Sequence, residues 1–176
     1  MVNYPGFDYI ERQIRKKIFG VLGTVDNKNG AHCTGIMYGV APKDEPFALY
    51  LLTGAEYKKT RNIRKNPNVS FAIPFPHHWL RFIPDYCIQF QGKAEILPVD
   101  DPVAVRSFQS KYMLRENLKA AEKLAIMTSD DRPVFLRITP RKKIHVFGVG
   151  ISLRTMLKNI ELGAYSVTVP EDRRSD

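Results

Sequence analysis

The chain has 176 residues, 44% of them hydrophobic and 26% charged, which suits one globular domain and excludes a disordered chain. Its 27 Lys and Arg residues exceed its 18 Asp and Glu residues, and the net charge of +9 favours an anionic partner: a phosphorylated ligand, nucleic acid or a membrane surface. Two cysteines and four histidines are too few for a disulfide framework or a dedicated metal centre, so we predict no metal site.

The apolar runs of the sequence are short. The run from Phe47 to Leu52 is far below the roughly 20 residues that cross a bilayer. Asp8 and Glu11 stand where a signal peptide would carry its apolar stretch. We therefore expect a cytoplasmic protein with no membrane partner.

Apolar spacing predicts the secondary structure in chain order. Phe7, Ile10, Ile14 and Ile18 recur at helical spacing and predict a helix over 7–18. The next elements are strands at 18–25 and 31–41 joined by an Asn-Gly turn, a buried strand at 47–53, a basic helix at 56–66, strands at 68–74 and 86–97, a helix in two pieces from 102 to 127, strands at 133–139 and 143–147, and a helix at 153–162 before a polar tail.

This order differs from the strand–helix alternation of a dinucleotide-binding sheet, and no GxGxxG or phosphate-binding glycine pattern is present. Consecutive strands joined by short turns favour antiparallel pairing. The sequence therefore predicts a mainly antiparallel β-barrel with peripheral helices.

The most informative segment is LLTGAEYKKTRNIRKNPNVSF, residues 51–71. A buried strand ends at Thr53, turns through Gly54 and enters a helix whose first turn carries Lys58 and Lys59. Backbone N–H groups and the helix dipole favour an anion at such a helix start, and the lysines add charge-assisted hydrogen bonds. A basic helix face alone is more often simply solvated, so the charges by themselves do not define a site.

The complete segment resembles the pyridoxamine 5′-phosphate oxidase-like family. Members of that family have an apolar strand ending in Thr or Ser, followed by a lysine–asparagine–proline run. Two later segments, Gln91–Glu95 and Ile144–Phe147, are also typical of the family. The run is present here as Lys59, Asn62, Ile63, Asn66, Pro67 and Val69.

This resemblance implies an FMN-binding split barrel, a mainly β domain with six to seven antiparallel strands and peripheral helices. The barrel would cover residues 1–150, and residues 151–176 would form a C-terminal helix and polar tail of the same domain. The family also implies a homodimer with two FMN sites at the subunit interface. The apolar strands at 47–53 and 86–97 supply more apolar surface than one small barrel needs, which agrees with a dimer.

The resemblance also implies which residues bind the cofactor. Lys59 and Lys58 match the basic residues at the FMN phosphate, and Thr53 matches the strand-end hydroxyl. A small-residue face made of Cys33, Gly35, Gly39 and Ala41 would let a flat ring approach the backbone. The complete set of predicted cofactor-binding residues is His32, Cys33, Thr34, Gly35, Thr53, Lys58, Lys59, Cys87, Phe147 and Arg154.

Several positions depart from true pyridoxamine phosphate oxidases. Cys87 replaces a flavin-contacting Gln, Phe147 replaces a Trp, and Met156 replaces a substrate-contacting His between Arg154 and Lys158. The Tyr-x-x-x-Arg-x-x-x-Ser substrate motif is also missing from residues 103–128. We therefore expect flavin binding without vitamin B6 oxidation.

The implied reaction is hydride or electron transfer to a small substrate, with no assigned catalytic acid or base. The alternatives are a split barrel that binds the deazaflavin F420 or haem, a non-enzymatic flavin-binding or flavin-storing protein, and a basic nucleic-acid binder. The sequence lacks the aromatic motifs that read RNA, which argues against the last. His77-His78-Trp79 is interpreted as a plain loop, because adjacent side chains of an extended segment point to opposite faces.

Overall fold

The computed structural model describes residues 3–76, 84–127 and 132–174, with the backbone alone at 124–127. Its helices are α1 (Phe7–Lys16), α2 (Lys58–Lys65), α3 (Pro102–Gln109), α4 (Tyr112–Met127) and α5 (Leu153–Lys158). Its strands are β1 (Phe19–Val25), β2 (Ala31–Met37), β3 (Gly39–Val40), β4 (Leu49–Gly54), β5 (Asn68–Phe75), β6 (Tyr86–Pro98), β7 (Pro133–Pro140), β8 (Lys143–Phe147) and β9 (Ala164–Thr168).

Within the described residues, all nine strands belong to one sheet, and every pair is antiparallel. Seven strands follow the order β2-β1-β5-β6-β7-β4-β3, while β8 pairs with β6 and carries β9. Only Tyr38 separates β2 from β3 in the chain, so the two ends of this path must approach each other and the sheet must curl. The predicted antiparallel split barrel with peripheral helices is confirmed.

Two apolar clusters lie on opposite sides of β4. Leu49 and Leu51 point into the barrel core, whereas Tyr50 and Leu52 face the cluster under α3 and α4. Alternate side chains of a strand point to opposite faces, so β4 is buried on both faces, as its continuous apolar run predicts. Because α3 and α4 cover the second face within the chain, that strand supplies no spare apolar surface for a dimer, and this part of the expectation is wrong.

The predicted Asn-Gly turn is present, and a capping carboxylate begins α3. Asn29 has a φ of 62° in the hairpin between β1 and β2, a conformation that Asn tolerates better than most residues. Asp101 caps α3 by accepting a hydrogen bond from the Ala104 amide at 2.9 Å, with Pro102 in the first turn. These local signals place both elements close to their predicted positions.

The C-terminal region differs from the sequence prediction. The predicted helix at 153–162 is α5 followed by a 3-10 turn at Ile160–Gly163, and the predicted polar tail contains β9, which pairs along the whole of β8. Val167 and Val169 are buried in the barrel core. The pattern of β9 is difficult to detect because the strand has only five residues, of which Val167 is the buried one.

The end of the described chain also returns to the N-terminal helix. The Phe47 amide donates a hydrogen bond to the Arg173 carbonyl at 2.7 Å. Glu11 of α1, which is 5% exposed, accepts hydrogen bonds from Arg15 at 2.6 Å and from Arg173 at 3.1 Å. A buried carboxylate shared by two arginines therefore joins α1 to the C-terminal segment.

Candidate functional site

The connection between β4 and α2 is built by buried polar contacts. The Thr60 hydroxyl donates a hydrogen bond to the Gly54 carbonyl at 2.8 Å and closes the turn. The Asn62 amide donates to the Thr24 hydroxyl at 3.0 Å, and Ile63 packs in the barrel core. These contacts fix the inner face of α2 against β1 and set the position of Lys59 relative to Thr53.

A cavity of about 330 Å³ opens beside this turn, and we call it the Thr53 pocket. Its floor comes from the end of β4 and its far wall from α4, where Ala120 and Ala121 provide small side chains. Its lining residues are Ile36, Leu52, Thr53, Gly54, Tyr57, Lys59, Asn117, Ala120, Ala121 and Pro133. The structure therefore brings Thr53 and Lys59, two of the predicted cofactor-binding residues, into one cavity.

Two features of the Thr53 pocket favour an anionic group. Lys59 is only 8% exposed, and its ammonium lies 4.7 Å from the centre of the Tyr57 ring. The Thr53 hydroxyl is buried and has no hydrogen-bond partner among the described residues. Because a buried polar group without a partner is costly, a hydroxyl in this position is suited to donate to a bound ligand.

Lys58 lies apart from the Thr53 pocket. Its ammonium is 3.8 Å from a carboxylate oxygen of Asp26, in the turn between β1 and β2. Hydrogen bonds from the backbone amides of Gly30 and Lys28 lower the pKa of the Asp26 carboxyl, with a further contribution from the Lys58 charge. The two neighbouring lysines, both predicted at the phosphate, therefore face different cavities.

The predicted residues of β2 fall on two faces of the sheet. His32 and Thr34 lie on the same face as Ile36, which lines the Thr53 pocket. Cys33 and Gly35 lie on the opposite face, where Cys33 is exposed. The strand alternation therefore leaves only half of the predicted segment on the side of Thr53 and Lys59.

The predicted small-residue face is not continuous. A Cβ at Gly35 would lie 2.8 Å from the Phe19 ring, and one at Gly39 would lie 2.7 Å from the Ser107 carbonyl oxygen of α3. Ala41 is fully buried in the cluster under α3 and α4. This expectation is wrong because the strand breaks at Tyr38 and α3 packs directly over Gly39.

A second group of predicted residues lies on the outer face of the sheet. Cys87 on β6 is directly opposite Phe147 on β8, and burial raises the pKa of the Cys87 thiol, which keeps it protonated at neutral pH. His145 lies two residues before Phe147, and its Nδ1 is 2.9 Å from the Ser166 hydroxyl. We call this group the outer patch: Cys87, Gln89, His145, Phe147, Ala164 and Ser166.

Thr53 and Cys87 lie at opposite ends of the long strand β6. Thr53 pairs with Val134, which pairs with Pro98 at the end of β6, whereas Cys87 lies near its start. Arg154 is exposed on α5 and lines neither the Thr53 pocket nor the concavity of about 510 Å³ beside the outer patch. Within the described residues, Thr53 and Lys59 therefore form one group and Cys87 and Phe147 a second one. Lys58, Cys33, Gly35 and Arg154 belong to neither group.

The sequence pattern does not single out two residues of the Thr53 pocket, Tyr57 and Asn117. Tyr57 lies in the predicted basic helix over 56–66, and Asn117 is a polar position of the predicted helical region over 102–127. The one available signal is the pair Ala120 and Ala121, since small residues on a helix allow a close approach to another element. That signal does not identify the element that α4 approaches.

The described residues contain no group of three or more His, Cys, Asp or Glu side chains that would hold a metal ion. None of the helices in the described ranges has the length and apolar character needed to cross a bilayer. His77, His78 and Trp79, interpreted above as a loop, lie outside the described residues.

The fold defines a split-barrel protein, and its Thr53 pocket contains one buried lysine. The family model described as "Pyridoxamine 5′-phosphate oxidase" matches residues 8–146, so the chain belongs to this family. This match confirms the resemblance drawn from the lysine segment. No curated protein matches the chain in sequence.

Solved structures with the same fold include haem proteins and an FMN-binding protein. A haem-binding protein from Mycobacterium smegmatis has a TM-score of 0.65 and 18% identity, over 98% of this chain and 61% of that one. HutZ, a haem storage protein from Vibrio cholerae, has a TM-score of 0.61 and 16% identity, over 82% of this chain and 96% of that one. A pyridoxamine 5′-phosphate oxidase-related FMN-binding protein from Nostoc punctiforme has a TM-score of 0.56 and 14% identity, over 82% of this chain and 84% of that one.

Proposed function

We propose that this protein is a cytoplasmic FMN-binding flavoprotein and an oxidoreductase acting on a small substrate. The observation that carries the proposal is the buried Thr53 hydroxyl, unpartnered among the described residues, in the same pocket as the buried Lys59 ammonium. One hydroxyl donor and one cation are the groups that bind a phosphate monoester. Family membership supports FMN as the phosphate-bearing ligand.

Five residues of the pocket have a role in this proposal. Lys59 binds the phosphate through a charge-assisted hydrogen bond, and Thr53 donates a second one. The Tyr57 ring restrains the lysine side chain, while Ile36 and Leu52 supply apolar surface beside the phosphate. Bound FMN would supply hydride or single-electron transfer, and the protein would hold and orient it.

Haem is a second candidate ligand because of His145. Its Nδ1 is engaged by Ser166, which leaves Nε2 on the outer patch for an iron ligand. Two of the similar structures are described as haem proteins, and this also supports the alternative. F420 carries a phosphate as well, so it competes with FMN for the Thr53 pocket in this scheme.

Titration of the purified protein with FMN, F420 and haemin tests the proposal. We expect saturable FMN binding with one flavin per chain, measured by quenching of flavin fluorescence. A Soret band with haemin and no saturable flavin binding would establish the haem alternative. Preferential binding of F420 would identify F420 as the ligand in place of FMN. Reduction of the bound flavin by NADH or NADPH supports the oxidoreductase, whereas a flavin inert to both supports storage.

We also propose that a second copy of the chain completes the site. The Thr53 pocket and the outer patch are separate in one chain, yet both contain residues predicted to bind the same cofactor. In the proposed twofold dimer, the Thr53 pocket of each copy would lie beside the outer patch of its partner, so that two equivalent sites form. Light scattering should give about twice 20.2 kDa, and a monomer with tight, stoichiometric FMN binding would contradict this arrangement.

Oxidation of pyridoxamine phosphate is expected to be negligible. Met156, which stands where those oxidases have a substrate-contacting His, is 5% exposed and packs beside Gly163. A substrate held without correctly placed polar groups loses rate as well as affinity. The FMN-loaded protein can be assayed in air for pyridoxal phosphate by absorbance, and turnover of about one per second would restore the oxidase assignment.

A further inference from the structure

A second cavity lies along α2, apart from the Thr53 pocket. It has a volume of about 460 Å³ and is formed by the exposed face of α2 and the turn between β1 and β2. We call it the α2 cavity. Its lining residues, all charged or polar, are Asp26, Asn27, Lys58, Arg61, Asn62, Arg64 and Lys65. It has no lining residue in common with the Thr53 pocket.

Four cations line this cavity against one carboxylate. Lys58 faces Asp26 at 3.8 Å, and Arg64 donates to Glu56 at 3.1 Å. No carboxylate of the described residues forms an ion pair with Arg61 or Lys65. The α2 cavity therefore has a surplus of positive charge that the described part of the chain does not neutralise.

The spacing of the cations makes them repel one another in the absence of a ligand. Arg61 follows Lys58 by three residues and precedes Lys65 by four, and like charges at these helical spacings are destabilising. An anion that contacts several of them relieves this repulsion. Lys58 and Lys65 are separated by about 10 Å along the helix axis at 1.5 Å per residue, which is longer than one phosphate group and suits two or three linked phosphates.

The floor and one end of the cavity are held in place before any ligand arrives. Asn62 is bonded to Thr24 of β1, which anchors the helix against the sheet. The Asp26 carboxylate accepts hydrogen bonds from the amides of Gly30 at 2.8 Å and Lys28 at 3.0 Å. The fixed negative charge of Asp26 at one end of the cavity repels the continuous phosphate backbone of a nucleic acid. A short polyphosphate bound towards the other end of the cavity avoids this repulsion.

We propose that the α2 cavity is a binding site for a compact polyphosphate, either inorganic or the phosphate chain of a nucleotide. Arg61 and Lys65 form its centre, with Arg64 and Lys58 at the flanks. The site is separate from the Thr53 pocket and does not depend on which cofactor that pocket binds.

Calorimetric titration with tripolyphosphate, orthophosphate, ATP and a single-stranded oligonucleotide tests this proposal. We expect one tripolyphosphate per chain, bound at least about tenfold more tightly than orthophosphate. ATP at the same affinity as tripolyphosphate identifies the phosphate chain as the recognised group. Tighter binding of ATP identifies a nucleotide as the source.

A pair of double variants separates the site from general charge. Arg61→Ala with Lys65→Ala should weaken tripolyphosphate binding at least about tenfold. The matched control, Lys142→Ala with Lys143→Ala, removes the same charge from exposed positions and should change the affinity less than about twofold. FMN affinity should be unchanged in both. Equal losses in the two double variants, or binding of the oligonucleotide alone, would overturn the proposal.

Discussion

Replacing Lys59 by alanine is expected to weaken FMN binding about 10- to 150-fold, which corresponds to about 1.5–3 kcal/mol. The lysine is buried beside Thr53, so its interaction with a phosphate is poorly screened by water. Stability without flavin should hardly change, because the apolar core does not include this side chain. Flavin fluorescence titration of wild type and variant gives the two dissociation constants.

Lys65→Ala is the matched control for Lys59→Ala. It removes the same charge from the same helix, but its side chain is exposed and faces the α2 cavity. We expect its FMN affinity to remain within about twofold of wild type, because an exposed charge contributes little. Equal dissociation constants for wild type and Lys59→Ala would refute the assignment of Lys59 to the phosphate.

Thr53→Val separates ligand binding from packing at the same position. Valine preserves the shape of the side chain and removes a buried hydroxyl that lacks a partner among the described residues, so the unliganded protein should be unchanged or slightly more stable. FMN affinity should nevertheless fall by about 0.5–1.5 kcal/mol. This opposite response of stability and affinity is not expected if Thr53 has only a structural role.

Replacing Glu11 by alanine is expected to lower the free energy of unfolding by about 3 kcal/mol. The substitution leaves the Arg15 and Arg173 guanidiniums, which are 24% and 17% exposed, without their shared carboxylate. An ion pair broken from one side leaves uncompensated charge in a poorly solvated place. In a domain of this size the melting temperature should fall by about 6–12 °C, measured by circular dichroism.

The exposed Glu122 of α4 provides the control for Glu11. It is also a helical glutamate, and Glu122→Ala should change the free energy of unfolding by less than about 0.5 kcal/mol. If the two alanine variants melt at the same temperature, the Glu11 cluster does not stabilise the junction between α1 and the C-terminal segment. Chemical denaturation of both variants supplies the free energies directly.

Local signals explain most of what the sequence predicted correctly. The strand that ends at Thr53, the helix that begins near Lys58 and the stop at Pro67 all depend on residues within a few positions of each other. The alternation of apolar and polar residues along β6 likewise indicates which face of the strand is buried, with Ile88 and Phe90 inside and Gln89 and Gln91 outside. Such elements are predictable because each segment carries its own pattern.

Features that depend on contacts between distant segments were not predictable in the same way. The wall that α4 places beside Lys59 and the packing of α3 over Gly39 follow from tertiary packing, which one sequence does not encode locally. The separation of Thr53 from Cys87 follows from their positions along β6 and its partners. The sequence predicted which types of residue bind the cofactor. The pairing of the strands and the packing of the helices determine which of these residues lie close together.

The return of the C-terminal segment to α1 has a consequence for the order of folding. Glu11 and Arg173 are 162 positions apart, and Val167 and Val169 belong to the same core as Ile10 and Ile14. Contacts of such long sequence separation form slowly, because a long loop must close before they contribute. During synthesis α1 therefore emerges long before its final partners, and the barrel core is completed only after residues 167–173 have left the ribosome.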